Sequence, residues 1–151
     1  VTIKQQIDAD LKIAMLAKDA ERLSVLRGIK TAVLYEEVAR NVRDIGLSDP
    51  EVTVILQREA KKRQESADLY TQGGSQIRAE KELSEKKVIE AYLPVQLTDA
   101  ELKEIIETAI TSLGDDTPAA MGRIIGAVKA KAGGAAEGAV VARLVKERLA
   151  Q

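Results

Sequence analysis

Ala91-Tyr92-Leu93-Pro94-Val95-Gln96-Leu97-Thr98-Asp99-Ala100-Glu101 ends one set of helices and starts another. Pro94 has no backbone N–H and its ring clashes with the preceding turn, so no helix runs through it. It also pushes Leu93 out of the helical region. Four residues later, Thr98 and Glu101 have the spacing of a capping box, in which the hydroxyl accepts from one end and the carboxylate from the other. Between stop and start, Tyr92, Leu93, Val95 and Leu97 are too apolar for a free linker. The segment reads as a packed joint between two helical lobes, residues 1–93 and 98–151; the competing reading is a helix–helix turn inside one domain.

A chain of 151 residues supports one domain or two small ones, and can bury a core without staples. It holds no Cys and no His. That removes disulfides, thiolate nucleophiles, Cys/His zinc sites and imidazole acid–base catalysis together. No cofactor is expected. The apolar runs are far short of a membrane span, and Val1-Thr2-Ile3-Lys4 shows no signal-peptide core. With a Cys-free composition suited to a reducing compartment, the expectation is a cytoplasmic protein with no membrane partner.

Outward from the joint, the periodicity is helical throughout and the fold class expected is all-α. Residues 2–18 form a first helix through Ile3, Ile7, Leu11, Ala14 and Met15 at spacings of three and four. Asp19 is the N-cap of a second, whose stripe of Leu23, Leu26, Ile29, Val33 and Leu34 runs to about Arg40, the pair forming a helical hairpin. Ser48-Asp49-Pro50-Glu51 is a second capping box with proline in the first turn. The third helix buries Val52, Ile55 and Leu56 at its start, and Leu69 and Tyr70 at its end. Its middle, residues 57–65, is almost wholly polar and carries Arg58, Lys61, Lys62 and Arg63, so it should stand partly free of the core. Gly73-Gly74 stops it. Residues 75–92 form a fourth helix with a thin stripe of Ile77, Leu83, Val88, Ile89 and Tyr92. The N-terminal lobe is thus four helices, the last two an exposed hairpin.

The C-terminal lobe reads as three helices. Leu102, Ile105, Ile106, Ala109, Ile110 and Leu113 mark the fifth, stopped by Gly114. Thr117-Pro118 supplies an N-cap and first-turn proline for the sixth, whose face is Met121, Ile124, Ile125 and Val128. After Gly133-Gly134, the seventh helix buries Val141, Leu144, Val145 and Leu149.

Enzyme signatures are scarce. There is no phosphate loop and no dinucleotide fingerprint. Gly73-Gly74-Ser75 is a helix stop and a cap rather than an amidase motif, and the carboxylates interleave with Lys and Arg as on a solvated surface. The C-terminal lobe is more informative. Residues 117–151 carry six cations against two acids, +4, while 98–116 carry six acids against Lys103, −5. A basic end suits phosphate, with salt-sensitive affinity from counterion release. The bland alternative is an amphipathic helix pair with snorkelling Lys and Arg. Tyr35, Tyr70 and Tyr92 are the only aromatic residues, so no stacking platform for single strands exists. A nucleic-acid ligand would be a folded RNA read by shape and backbone. Gly122 and Gly126 lie four apart on the sixth helix, although glycine there costs ~1 kcal/mol relative to alanine. They let another backbone approach, either the seventh helix or an RNA edge.

Tyr92-Leu93-Pro94-Val95-Gln96-Leu97, Met121-Gly122-Arg123-Ile124-Ile125-Gly126-Ala127-Val128 and the Gly133-Gly134…Gly138 turn resemble the YqeY (GatB/YqeY) family over essentially the whole chain. The tail is similar to the C-terminal domain of the B subunit of glutamine-dependent aminoacyl-tRNA amidotransferase. The resemblance implies tRNA binding through the tail, and a partner enzyme that is an aminoacyl-tRNA synthetase or an amidotransferase. It also implies a label of carbon–nitrogen ligase activity with glutamine as amide donor. Where family members often carry Lys or Arg in the last turn, this chain has Gly134, so phosphate contacts fall to Arg123, Lys129 and Lys131. Gly122, Gly126 and Gly133 would allow close approach. No catalytic residue is assigned: amide transfer needs a nucleophile to release ammonia and an ATP site, and the sequence offers neither. Three readings are carried forward: a tRNA-binding accessory module in translation, an amide-transferring enzyme as the label has it, against which the missing nucleophile and ATP site argue, and a helical protein–protein adaptor that uses the helix around Arg58 and Arg63 and binds no RNA.

Overall fold

The computed structural model describes residues 1–151 as seven α-helices and two short 3-10 turns, with no strand. The helices are α1 Ile3–Leu16, α2 Ala20–Ala39, α3 Asp49–Gln72, α4 Gln76–Glu90, α5 Asp99–Leu113, α6 Met121–Ala132 and α7 Gly138–Leu149. The chain divides at the proline into two compact units, Val1–Leu93 and Pro94–Gln151. No helix is long and apolar enough to cross a membrane.

In the first unit the core is built by Ile7 and Ala14 of α1, Val25, Leu26, Ile29 and Val33 of α2, Val52, Ile55, Leu56 and Ala60 of α3, and Ile89 of α4. The starts of α1, α2 and α3 are capped locally. Asp19 accepts from the Arg22 N–H at 3.1 Å. Ser48 and Glu51 form their capping box, with the Ser48 N–H 2.8 Å from the Glu51 carboxylate. The Glu51 carboxyl lies below the usual carboxylate range, chiefly because the Ser48 backbone and hydroxyl donate to it. Thr2 is outside α1 rather than its first residue, and completes a capping box with Gln5. The α1–α2 turn uses Lys18 at φ 55°, a left-handed position taken without glycine.

Glu37 is the exception in this core, a carboxylate only 5% exposed. It accepts from Lys4 Nζ at 2.9 Å and from the Leu47 N–H at 3.1 Å. Gly46, at φ +81°, passes so close that a Cβ there would meet Lys4 Nζ at 3.1 Å and Glu37 Oε2 at 3.2 Å. The buried acid therefore gathers α1, α2 and the loop entering α3.

The middle of α3 is less free than its polarity suggests. Ala60 and Ala67 of α3 and Ala79 of α4 are buried. Arg63 lies 3.5 Å from Glu82 and 3.4 Å from Glu85, and Lys86 donates to Gln64 at 2.9 Å. Small side chains and cross-helix polar contacts thus close the α3–α4 hairpin. Its far end departs from the expected stripes: Leu69 and Ile77 face solvent, and Tyr70 is half-buried beneath Arg78, whose guanidinium is 5.9 Å from the ring centre. Met15 and Leu34 are also exposed, and Tyr92 lies in the turn after α4.

The second unit buries Leu102, Ile106, Ala109 and Ile110 of α5, Ile124 and Val128 of α6, and Val141, Leu144, Val145 and Leu149 of α7. The capping box of Thr98 and Glu101 opens α5, and Gly114 at φ 66° closes it. The apolar residues of the joint are shared between the two cores. Tyr92 and Leu93 rest on the first core, Leu97 on the second, and Val95 is 92% exposed. Thr117 does not cap α6 as expected. Pro118–Ala120 is a 3-10 turn, and the Thr117 hydroxyl donates to Asp115 instead. The Leu97 N–H donates to the Ala135 carbonyl at 2.8 Å and Gln96 to the Gly134 carbonyl at 3.0 Å. These bonds fix the turn between α6 and α7.

Candidate functional site

The twelve residues of α6 sort cleanly by helical period. Ile124 and Val128 are fully buried, with Met121, Ile125 and Ala132 partly buried beside them. The opposite face is Gly122, Gly126, Ala127 and Ala130, all exposed. A Cβ built on Gly122 or Gly126 meets nothing within 4 Å. The reading in which these glycines admit α7 is therefore overturned, because α7 packs against the other side through Val141, Leu144 and Val145. Nothing inside the chain uses the two glycines, yet each weakens the helix by ~1 kcal/mol relative to alanine.

Two of the basic residues border this strip, and Arg123 stands within it. Arg123 is held: its guanidinium donates to Asp115 Oδ2 at 2.9 Å. Asp115 also accepts from the Thr117 hydroxyl at 2.6 Å and the Thr117 N–H at 2.9 Å. Those donors, the hydroxyl first, and then Arg123 keep the Asp115 carboxyl below its ordinary range. Lys131 is exposed and has no acid within ion-pair reach. Lys129 points along the helix surface to the start of α7, where a Cβ on Gly138 would lie 3.2 Å from its Nζ and 3.3 Å from its Cε. Gly138 leaves room for that ammonium. The start of α7 is the positive end of its dipole, so two positive potentials coincide there. By helical spacing Lys129 and Lys131 are about 160° apart around α6. The three cations are thus not one cluster: Arg123 stands within the exposed face, between Ala130 and Ala127, while Lys131 takes one rim of the strip and Lys129 the other, beside Gly122.

Gly133 is explained from within. It adopts φ 55°, ψ −135° as α6 ends, a region open in practice only to glycine. Its backbone therefore requires glycine whether or not a ligand approaches.

The charge segregation read along the sequence is partly cancelled in space. Arg143 bonds Asp99 at 3.2 Å and Glu147 at 3.2 Å, and Arg148 pairs with Glu107. The basic helix α7 thus answers the acidic helix α5. Of the tail's six cations, Lys129, Lys131 and Lys146 have no carboxylate ion pair in the fold; Lys146, beside Pro118 and Met121, is one of the six that charge counting gives but not one of the three expected phosphate contacts. A strip of small residues rimmed by lysines can accept an extended anionic backbone. Tyr35, Tyr70 and Tyr92 all lie in the first unit, so the second unit has no ring of its own on which to stack a base.

The family model described as Yqey-like protein matches residues 4–149. No curated protein matches the chain.

Proposed function

The chain belongs to the YqeY family, and on that premise we propose that it is a tRNA-binding accessory module. It acts beside an amidotransferase or an aminoacyl-tRNA synthetase, and the exposed strip of α6 is its RNA contact. Lys129 and Lys131 neutralise phosphates along the two rims and Arg123 does so from within the strip, while Gly122 and Gly126 let the helix approach a ribose edge. Phosphate contacts set position and carry no sequence information. Shape and the 2′-hydroxyls of a wide, shallow minor groove supply the remaining recognition. Amide chemistry belongs to the partner enzyme.

The observation that carries this reading is the pair of glycines facing open space. Filter binding of bulk tRNA across a salt series tests it. The expected log–log slope is about −2 to −4, from three or four phosphate contacts. Affinity no better than for an unrelated polyanion of equal charge would favour the protein–protein adaptor.

A further inference from the structure

The seam between α6 and α7 carries a lysine at each end. On α6, Met121, Ile125 and Lys129 follow one ridge of fourth neighbours, and on α7 Gly138, Ala142 and Lys146 follow another. Lys129 Nζ lies where a Cβ on Gly138 would come within 3.2 Å of it. Lys146 lines an apolar depression of about 400 Å³ together with Pro118, Met121, Leu149 and Ala150. These two contacts set the ridges side by side and antiparallel, with each lysine at the C-terminal end of its own ridge. At 1.5 Å per residue, the step from Gly138 to Lys146 puts the ends of the seam roughly 12 Å apart. Both lysines are exposed, neither has a carboxylate ion pair, and neither ridge holds an acid. The acid that follows Lys146, Glu147, is taken by Arg143 at 3.2 Å.

We infer that Lys146 is a further phosphate contact of the RNA surface, and that the RNA backbone leaves the α6 strip along the α6–α7 seam. The inference rests on the tRNA reading of the strip and adds the path of its ligand. Lys129 forms the rim of the strip beside Gly122, so one end of the seam opens on the strip itself. Lys146 then carries the positive potential across onto α7. The start of α7, next to Lys129, adds the positive end of its helix dipole. The depression beside Lys146 is walled by apolar side chains, and low-dielectric walls focus the field of a charge at their edge. Towards α5 the strip instead meets Asp115, whose carboxylate already holds Arg123 at 2.9 Å. A polyanion on the strip therefore gains a free ammonium by leaning towards α7 and meets a carboxylate by leaning towards α5.

Filter binding of bulk tRNA to the full chain across a salt series, run on Lys146→Ala and on Lys103→Ala, tests the inference. Each variant removes one exposed positive charge from the second unit. Lys103 belongs to α5 and faces the other flank of α7, in a groove with Glu107 and Glu147. Expected are a log–log salt slope shallower by about 0.7–0.9 in Lys146→Ala, with weaker binding at low salt, and a parental slope in Lys103→Ala, both with unchanged helix content. A parental slope in folded Lys146→Ala, or equal losses from the two variants, would overturn the path along α7. Loss of affinity in Lys129→Ala in the same titration would then show that the reading of the strip survives. Polyglutamate of equal charge competing as well as tRNA would overturn both.

Discussion

Tyr92 donates its hydroxyl hydrogen to Asp10 Oδ2 at 2.5 Å, joining the turn after α4 to α1 across 82 residues. The bond closes the first unit two residues before Pro94. Burial first, then the Asp10 bond and its charge, push the phenol up to about 12 from 10. The folded state therefore holds its proton more tightly than the unfolded chain does. The stabilisation is complete below pH 10 and is lost as pH rises through about 12. Urea midpoints should fall between those values more steeply in the parent than in Tyr92→Phe. Parallel pH profiles would show that the bond contributes nothing.

Glu37→Ala strands the buried Leu47 N–H and removes the partner of Lys4. Leaving a buried donor unsatisfied costs roughly 1–3 kcal/mol. The Lys4 side chain keeps 38% of its surface exposed, enough for water to take over its ammonium, so the ion pair adds little. Chemical denaturation should register that loss in the first unit. Near-parental stability would mean that the loop does not depend on this acid.

Thr98→Ala should destabilise α5 by about 0.5–2 kcal/mol, the usual range for a lost N-cap, because Thr98 accepts from the Glu101 N–H at 3.2 Å. Amide exchange should quicken in the first turn of α5 before it changes in α7.

Gly122→Ala and Gly126→Ala each add a methyl group to open space. Each should raise stability by ~0.5–1 kcal/mol. If the strip contacts RNA, the same double variant loses tRNA affinity while its thermal midpoint rises. A gain in stability with unchanged affinity would separate the glycines from binding.

Much of this fold is legible because its signals are local. Asp19, Ser48 with Glu51, and Thr98 with Glu101 fix helix starts within three residues, and Pro94 and Gly114 fix ends in the same way. Thr117 misled for the converse reason: threonine followed by proline has the form of a cap, but Asp115, two residues back, takes the hydroxyl. Periodicity placed Leu34 on an inner stripe and Leu69 on a buried one, yet both are exposed. A stripe names a face without saying whether anything covers it. The site was half legible. The spacing of Gly122 and Gly126 put them on one face, but only their surroundings show that the face is open. Counting charge along the tail gave +4, and could not show that Arg143 and Arg148 are answered by acids of α5.

The most direct test of the central claim is the tRNA affinity of Gly126→Leu. The side chain would rise from the middle of the strip into open space, leaving the fold and every cation in place. The account predicts binding weaker by about tenfold or more, ~1.4 kcal/mol, with the salt slope unchanged because no phosphate contact is removed. Parental affinity in a folded Gly126→Leu protein would contradict it, since no RNA could then be lying against α6.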